Sequence, residues 1–218
     1  MSGPRPAAAR LSPGQGPAEL AGAVAAERRE LAAVLGGLPP SAWGEPSLCD
    51  GWRVREVVAH LTMPFRYSAA RFAFEVARSR GNFNRMADRC ARRDAAASAA
   101  ELTAALRDNA EHPWKPPGGG LAGALTHDVI HGLDITVALG IGRAVPAGRL
   151  AVVLDSITAA RSLKFFGTRL AGIQLRATDT DWSFGSGTPV TGAAQDLALV
   201  VCGRRLPPGR VDGPVPPG

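Results

Sequence analysis

Cysteine is scarce in this 218-residue chain: Cys49, Cys90 and Cys202 are an odd number with no CxxC pair. That argues against a disulfide framework and against a cysteine-built zinc site. No run of 18 apolar residues occurs, which excludes an ordinary transmembrane helix. The opening MSGPRPAAARLSPGQGP lacks the apolar core of a secretory signal, so a cytoplasmic protein with no membrane partner is expected. Lysine is nearly missing, with only Lys115 and Lys164 among the 25 basic residues. What remains is ordinary: hydrophobic residues are 45% and charged residues 20%, enough to bury the core of one or two globular domains.

The formal net charge of +6 is unevenly placed. Between Arg66 and Arg93 stand eight arginines (66, 71, 78, 80, 85, 89, 92 and 93) against Glu75 and Asp88. Such a stripe fits a solvated helix face, or a local field that attracts a small anion. Nucleic acid suits it less, because stacking aromatics and lysine are scarce there, and no nucleic-acid partner is expected.

Apolar residues at helical spacing predict helices over Glu19–Leu35, Arg53–Met63 (interrupted by Pro64), Arg66–Ala91 with a break near Gly81-Asn82, Ser98–Glu111, Leu121–Leu139 and Leu150–Phe166. After Gly172 the period changes to two. Ile173, Leu175 and Ala177 alternate with polar residues, then short strands at WSFG and TPV precede a helix over Gly192–Cys202. The fold class is therefore mainly α, an antiparallel helix bundle with a small α+β C-terminal domain. The expected limits are a disordered tail over 1–17, the bundle over 18–168, the small domain over 172–204 and a second tail over 205–218.

Only four histidines exist: His60, His112, His127 and His131. His127 and His131 lie four apart on the most strongly periodic helix, one turn apart on one face. Surface or core histidines give the same spacing. His60, on a separate amphipathic helix, adds a third imidazole that a bundle can bring to the same point. Three histidines would hold a divalent ion and leave it open positions. His112, beside Pro113, is expected to face solvent. H-D-V-I-H is not a metalloprotease helix, because no Glu or His follows His131 to complete that ligand set. Glu56, four before His60, and Asp134, three after His131, are candidates to accept a second imidazole N–H, with ion pairing to arginine as the alternative. Cys49 reads either as a packed turn cysteine or as a nucleophile ahead of a helix.

The segment WGEPSLCDGWRVREVVAHLT, Trp43 to Thr62, resembles the opening of the mycothiol-dependent maleylpyruvate isomerase family of the DinB-like superfamily. Cys49, Gly51-Trp52 and His60 stand in matching places. THDVIHGLDITVALG, Thr126 to Gly140, is similar to that family's second metal-binding segment, and Gly172 to Arg204 to its small C-terminal domain. The resemblance implies a DinB-like four-helix bundle holding a divalent metal (zinc first, with nickel, iron or manganese as alternatives) on His60, His127 and His131. It also implies mycothiol as co-substrate, with Arg85 as a candidate contact for it and Arg204 as a candidate catalytic residue binding a carboxylate. There is one departure: the isomerase proper carries Glu where this chain has His127, giving a ligand set with no charge of its own. The implied chemistry is a thiol transfer or isomerisation, in which a metal-bound thiolate attacks a small, electrophilic, anionic substrate. Hydrolysis by bound hydroxide and non-catalytic ligand binding remain alternatives. A monomer or homodimer is expected.

Overall fold

The computed structural model describes residues 16–215. The tail expected over 1–17 lies outside these residues except for its last two, and Pro17 already opens the first helix. By packing, the described chain falls into two compact units, Pro17–Arg143 and the segment from Ala144 onward.

The first unit is all helix. It comprises α1 (Pro17–Gly36), α2 (Val54–Arg66), α3 (Ala69–Arg78), α4 (Phe83–Asp94), α5 (Ala99–Asp108) and α6 (Gly120–Thr136), with a 3₁₀ turn over Pro40–Gly44. Helices α1, α2, α5 and α6 pack on one another, and α4 lies against α2. Val54, Val57, Val58 and Leu61 recur at three and four along α2, so one face is apolar and is fully buried. Leu31 and Leu35 of α1, Leu102 and Leu106 of α5 and Ile135 of α6 complete the shared core. Ser98 caps α5 by accepting the Glu101 N–H, while the Glu101 carboxylate accepts the Ser98 N–H.

Pro64 does not interrupt α2, contrary to expectation: the helix runs on to Arg66. Pro64 has no N–H to give to the carbonyl four residues earlier. Arg66 braces this turn, its guanidinium donating to Ala59 O at 2.8 Å and Thr62 Oγ1 at 3.2 Å. The expected break in the next region is found between α3 and α4, where Arg80 (φ 54°) and Gly81 (φ 74°) are left-handed.

Six of the eight arginines of the stripe (71, 78, 80, 85, 92 and 93) are exposed, as in a solvated face, while Arg66 and Arg89 are half-buried. Four of the eight pair with acids. Arg66 pairs with Asp94 at 3.0 Å, Arg92 with Asp88 at 2.8 Å, and Arg93 with both Glu75 and Asp94. Arg89 also pairs with Glu75. Arg71 stacks over the Tyr67 ring at 4.0 Å, and the Tyr67 hydroxyl donates to Asp94 at 2.7 Å. Burial, reinforced by the Asp94 carboxylate, pushes the Tyr67 phenol well above its ordinary value. Glu75 is the one buried residue of α3, and it ties that helix to α4.

The second unit contains α7 (Ala147–Thr158), α8 (Ala160–Phe166), α9 (Ala194–Val201) and strands β1 (Ile173–Ala177), β2 (Ser183–Gly185), β3 (Thr188–Gly192) and β4 (Val211–Asp212). The sheet order is β2-β1-β3-β4, with β1 and β3 parallel and the outer pairs antiparallel. Leu175 and Val190 sit side by side in the register, both fully buried, and α9 packs on both of their strands. Gly187 is needed where these strands begin: at φ 127° an added Cβ would lie 2.1 Å from the Gly172 carbonyl oxygen. The packing divides the chain at 143/144, whereas the sequence pattern carried the bundle to 168. The reason is that α7 packs on α9, so the last helical stretch goes with the sheet. That stretch is also broken at Ala159, whose backbone is extended (ψ 139°). Of the expected tail over 205–218, residues 205–215 are described and ordered as structure. Val211 pairs with Gly192, and Arg210 binds Asp196 at 2.7 Å.

A prediction concerns Glu75. The Arg93 guanidinium, against the opposing effect of burial and aided by Arg89, holds its carboxyl below the ordinary value of 4.5. Its stabilisation is therefore complete above that value and lost as pH falls through the lower folded one. Glu75→Gln should cost about 1–2 kcal/mol at pH 7, as expected for a hydrogen bond to a charged group with part-exposed partners. The deficit should close in denaturant titrations as pH drops below 4, and α3 amides should exchange hydrogen faster in the variant. A deficit that persists at low pH would contradict the assignment.

Candidate metal centre

His60 lies on the buried side of α2, and His127 and His131 lie one turn apart on α6, which packs against it. The three rings meet with centroids 4.9–5.0 Å apart. Their ligating nitrogens all fall within 4.8 Å of one another, and Nε2 of His60 is 3.1 Å from Nε2 of His127.

The opposite side of each α6 imidazole is held by a carboxylate. His127 Nδ1 is 2.9 Å from Asp128 Oδ1, and His131 Nδ1 is 2.9 Å from Asp134 Oδ2. A carboxylate accepts, so each Nδ1 carries the proton and each Nε2 presents a lone pair to the centre. Without an ion, the tautomer that protonates His60 Nε2 makes this 3.1 Å contact a hydrogen bond donated to His127; with an ion, both nitrogens can offer it lone pairs. A tetrahedral zinc with Zn–N of about 2.0–2.1 Å sets its nitrogens about 3.3 Å apart, close to this separation. The donor set therefore fits a divalent ion of the borderline class served by imidazole.

Two indoles border the cluster. The Trp52 ring lies 5.1 Å from His60 and 6.4 Å from His131, and its Nε1 donates to Asp88 at 2.8 Å. The Trp114 ring lies 5.1 Å from His127. Both are half-buried. The loop ahead of α2 is drawn to α6 by Leu48 N–H donating to Asp134 O at 3.0 Å. This brings Cys49 within 4.8 Å of donor atoms on His131 and Asp134.

Among the sequence candidates, His60, His127 and His131 come together and Asp134 stands behind His131. Glu56 does not join them. Its carboxylate turns back to the start of α2 and accepts from the Arg53 N–H at 2.9 Å and guanidinium at 2.5 Å, because the helix N-terminus and a cation both compete for it. Burial raises the Glu56 pKa, but the Arg53 hydrogen bonds outweigh it and leave the carboxyl below its ordinary value. Arg85 is exposed in the first turn of α4 and is not among the groups around the three rings. Arg204 belongs to the second unit, where its guanidinium donates to Cys202 O at 3.2 Å.

His112 is half-buried rather than solvent-facing. It packs on Phe65 at 5.2 Å and accepts the Trp114 N–H, and burial together with Arg28 lowers its pKa. Asp128, Trp52 and Trp114 were missed from sequence as site groups. Adjacency of Asp128 to His127 was the available signal for the first, and Gly51-Trp52 just ahead of the helix bearing His60 for the second.

Residues 24–113 match the family described as the mycothiol maleylpyruvate isomerase N-terminal domain. Uncharacterized proteins of two Mycobacterium tuberculosis strains, H37Rv and CDC 1551, are each 27% identical over 214 residues, covering 83% of both chains. Two crystal structures of a mycothiol-dependent maleylpyruvate isomerase, one of them a mutant form, cover 93% of this chain and 97% of theirs. They are 14% and 16% identical, with TM-scores of 0.48 and 0.49 respectively.

The geometry predicts that His60→Ala, His127→Ala and His131→Ala each lower the metal content of protein purified without chelator, by at least tenfold in affinity for the loss of one ligand. Titrated Co²⁺ should quench the emission of Trp52 and Trp114. Unchanged metal content in all three variants would remove the centre.

Proposed function

We propose, on the match of residues 24–113 to the mycothiol maleylpyruvate isomerase N-terminal domain family, that the chain is a divalent-metal-dependent enzyme of that kind. In this reading it uses mycothiol to transfer a thiol to, or isomerise, a small electrophilic and anionic substrate. The observation that carries the reading is the convergence of three imidazole nitrogens on one point, two of them backed by carboxylates. His60, His127 and His131 would hold the ion. When bound, it would acidify a thiol so that thiolate is available near neutral pH.

The remaining work falls to the chain itself. Asp128 and Asp134 fix the α6 imidazoles in the tautomer that offers Nε2. Trp52 and Trp114 cover the rings with apolar surface, which limits access of water and strengthens electrostatic interactions at the centre. His127 in place of Glu leaves the ligands uncharged, so the full charge of the ion acts on whatever it binds. Arg85 for the thiol co-substrate and Arg204 for a substrate carboxylate remain the proposed contacts outside the cluster.

The test is turnover of a panel of small electrophiles, maleylpyruvate included, with and without mycothiol. Activity should require both the thiol and the metal, fall on chelation, return with Zn²⁺ or another divalent ion, and be lost in His127→Ala. Turnover that is indifferent to mycothiol would overturn the thiol reading.

A further inference from the structure

Arg28, on α1, is fully buried, as is the Asp128 it meets: their side chains are 0% and 2% exposed. Its Nε donates to Asp128 Oδ2 at 2.7 Å, while the other oxygen of that carboxylate is 2.9 Å from His127 Nδ1. Through Nη1 the same guanidinium donates to the backbone oxygens of Ala110 and His112, at 3.2 and 2.8 Å. It lies over Phe65 at 4.9 Å, and Phe65 packs on the His112 ring. Two residues further along the chain is Trp114, whose ring borders His127.

A buried ion pair of this kind is weak support for stability, because desolvation offsets much of the attraction. Here the desolvation is incompletely offset, since Arg28 Nη2 is buried with no hydrogen bond among the described residues. What the arrangement does supply is orientation. One rigid cationic fork fixes the carboxylate that aims His127 and the backbone that leads to Trp114.

We propose that Arg28 is a positioning residue for the three-histidine centre, acting on His127 through Asp128 and on Trp114 through the carbonyls of Ala110 and His112. The proposal rests on the metal-binding reading above. A neighbouring pair provides the control: Arg143 binds Glu27 of α1 at 2.8 Å, with side chains 8% and 0% exposed, and is not among the groups around the histidines.

The experiment measures Co²⁺ affinity, the Co²⁺ visible spectrum and quenching of tryptophan emission in the full chain and in Arg28→Met, Arg28→Lys and Arg143→Met. Arg28→Met should weaken Co²⁺ binding about 10–100-fold, the usual effect of losing a group behind a ligand, and should change both the spectrum and the quenching. Arg28→Lys should recover part of the affinity, and Arg143→Met should leave it unchanged. Should Arg28→Met fail to fold, Arg28→Lys is compared in the native and Asp128→Asn backgrounds. Weakening in the first and none in the second supports the proposal. Equal losses in Arg28→Met and Arg143→Met, or additive effects of Arg28→Lys and Asp128→Asn, would overturn it. Wild-type protein that binds no Co²⁺ would instead remove the centre itself, and the proposal with it.

Discussion

Three imidazoles meet around one point, and the helical unit is built so that they are held there. The α2 imidazole is buried, with the Trp52 ring 5.1 Å from it. On α6 each imidazole is pinned from behind by a carboxylate. The crowding is thus held by the packing of α2 on α6 and by hydrogen bonds on the far side of the rings. Without an ion, a proton on His60 Nε2 relieves it by hydrogen bonding to His127. Most of what distinguishes this bundle from a featureless one follows from that arrangement.

The same logic of paired charge runs outward from the centre. Asp128 is shared between His127 and Arg28, Asp88 between Trp52 and Arg92, and Glu75 between Arg89 and Arg93. A strong excess of arginine over acid within residues 66–93 therefore coexists with a folded, closely packed α2–α3–α4 region.

The helices of the bundle and the switch to period-two alternation after Gly172 were legible because each segment buries one face, and burial imposes periodicity on sequence. The three histidines were legible for a related reason: spacing of four on α6 and a place beside the apolar stripe of α2 leave few directions for their side chains. Glu56 was misread because helical spacing treats a carboxylate four residues away as facing its neighbour. The start of a helix, with Arg53 beside it, attracts that carboxylate more strongly. Arg28 and Trp114 carried no local signal at all, being a hundred and thirteen residues respectively from groups they serve through space. The boundary at 143/144 was equally hidden, since an amphipathic pattern says that α7 needs a partner without saying which one.

The stretch from His127 to Asp134, HDVIHGLD, holds two of the three imidazoles and both of the acids that steer them. It is an eight-residue cassette on two turns of one helix. A copy of it set into another helical pair would bring two imidazoles with their carboxylates, but would still need an arginine behind Asp128, as Arg28 stands here, and a histidine from the facing helix.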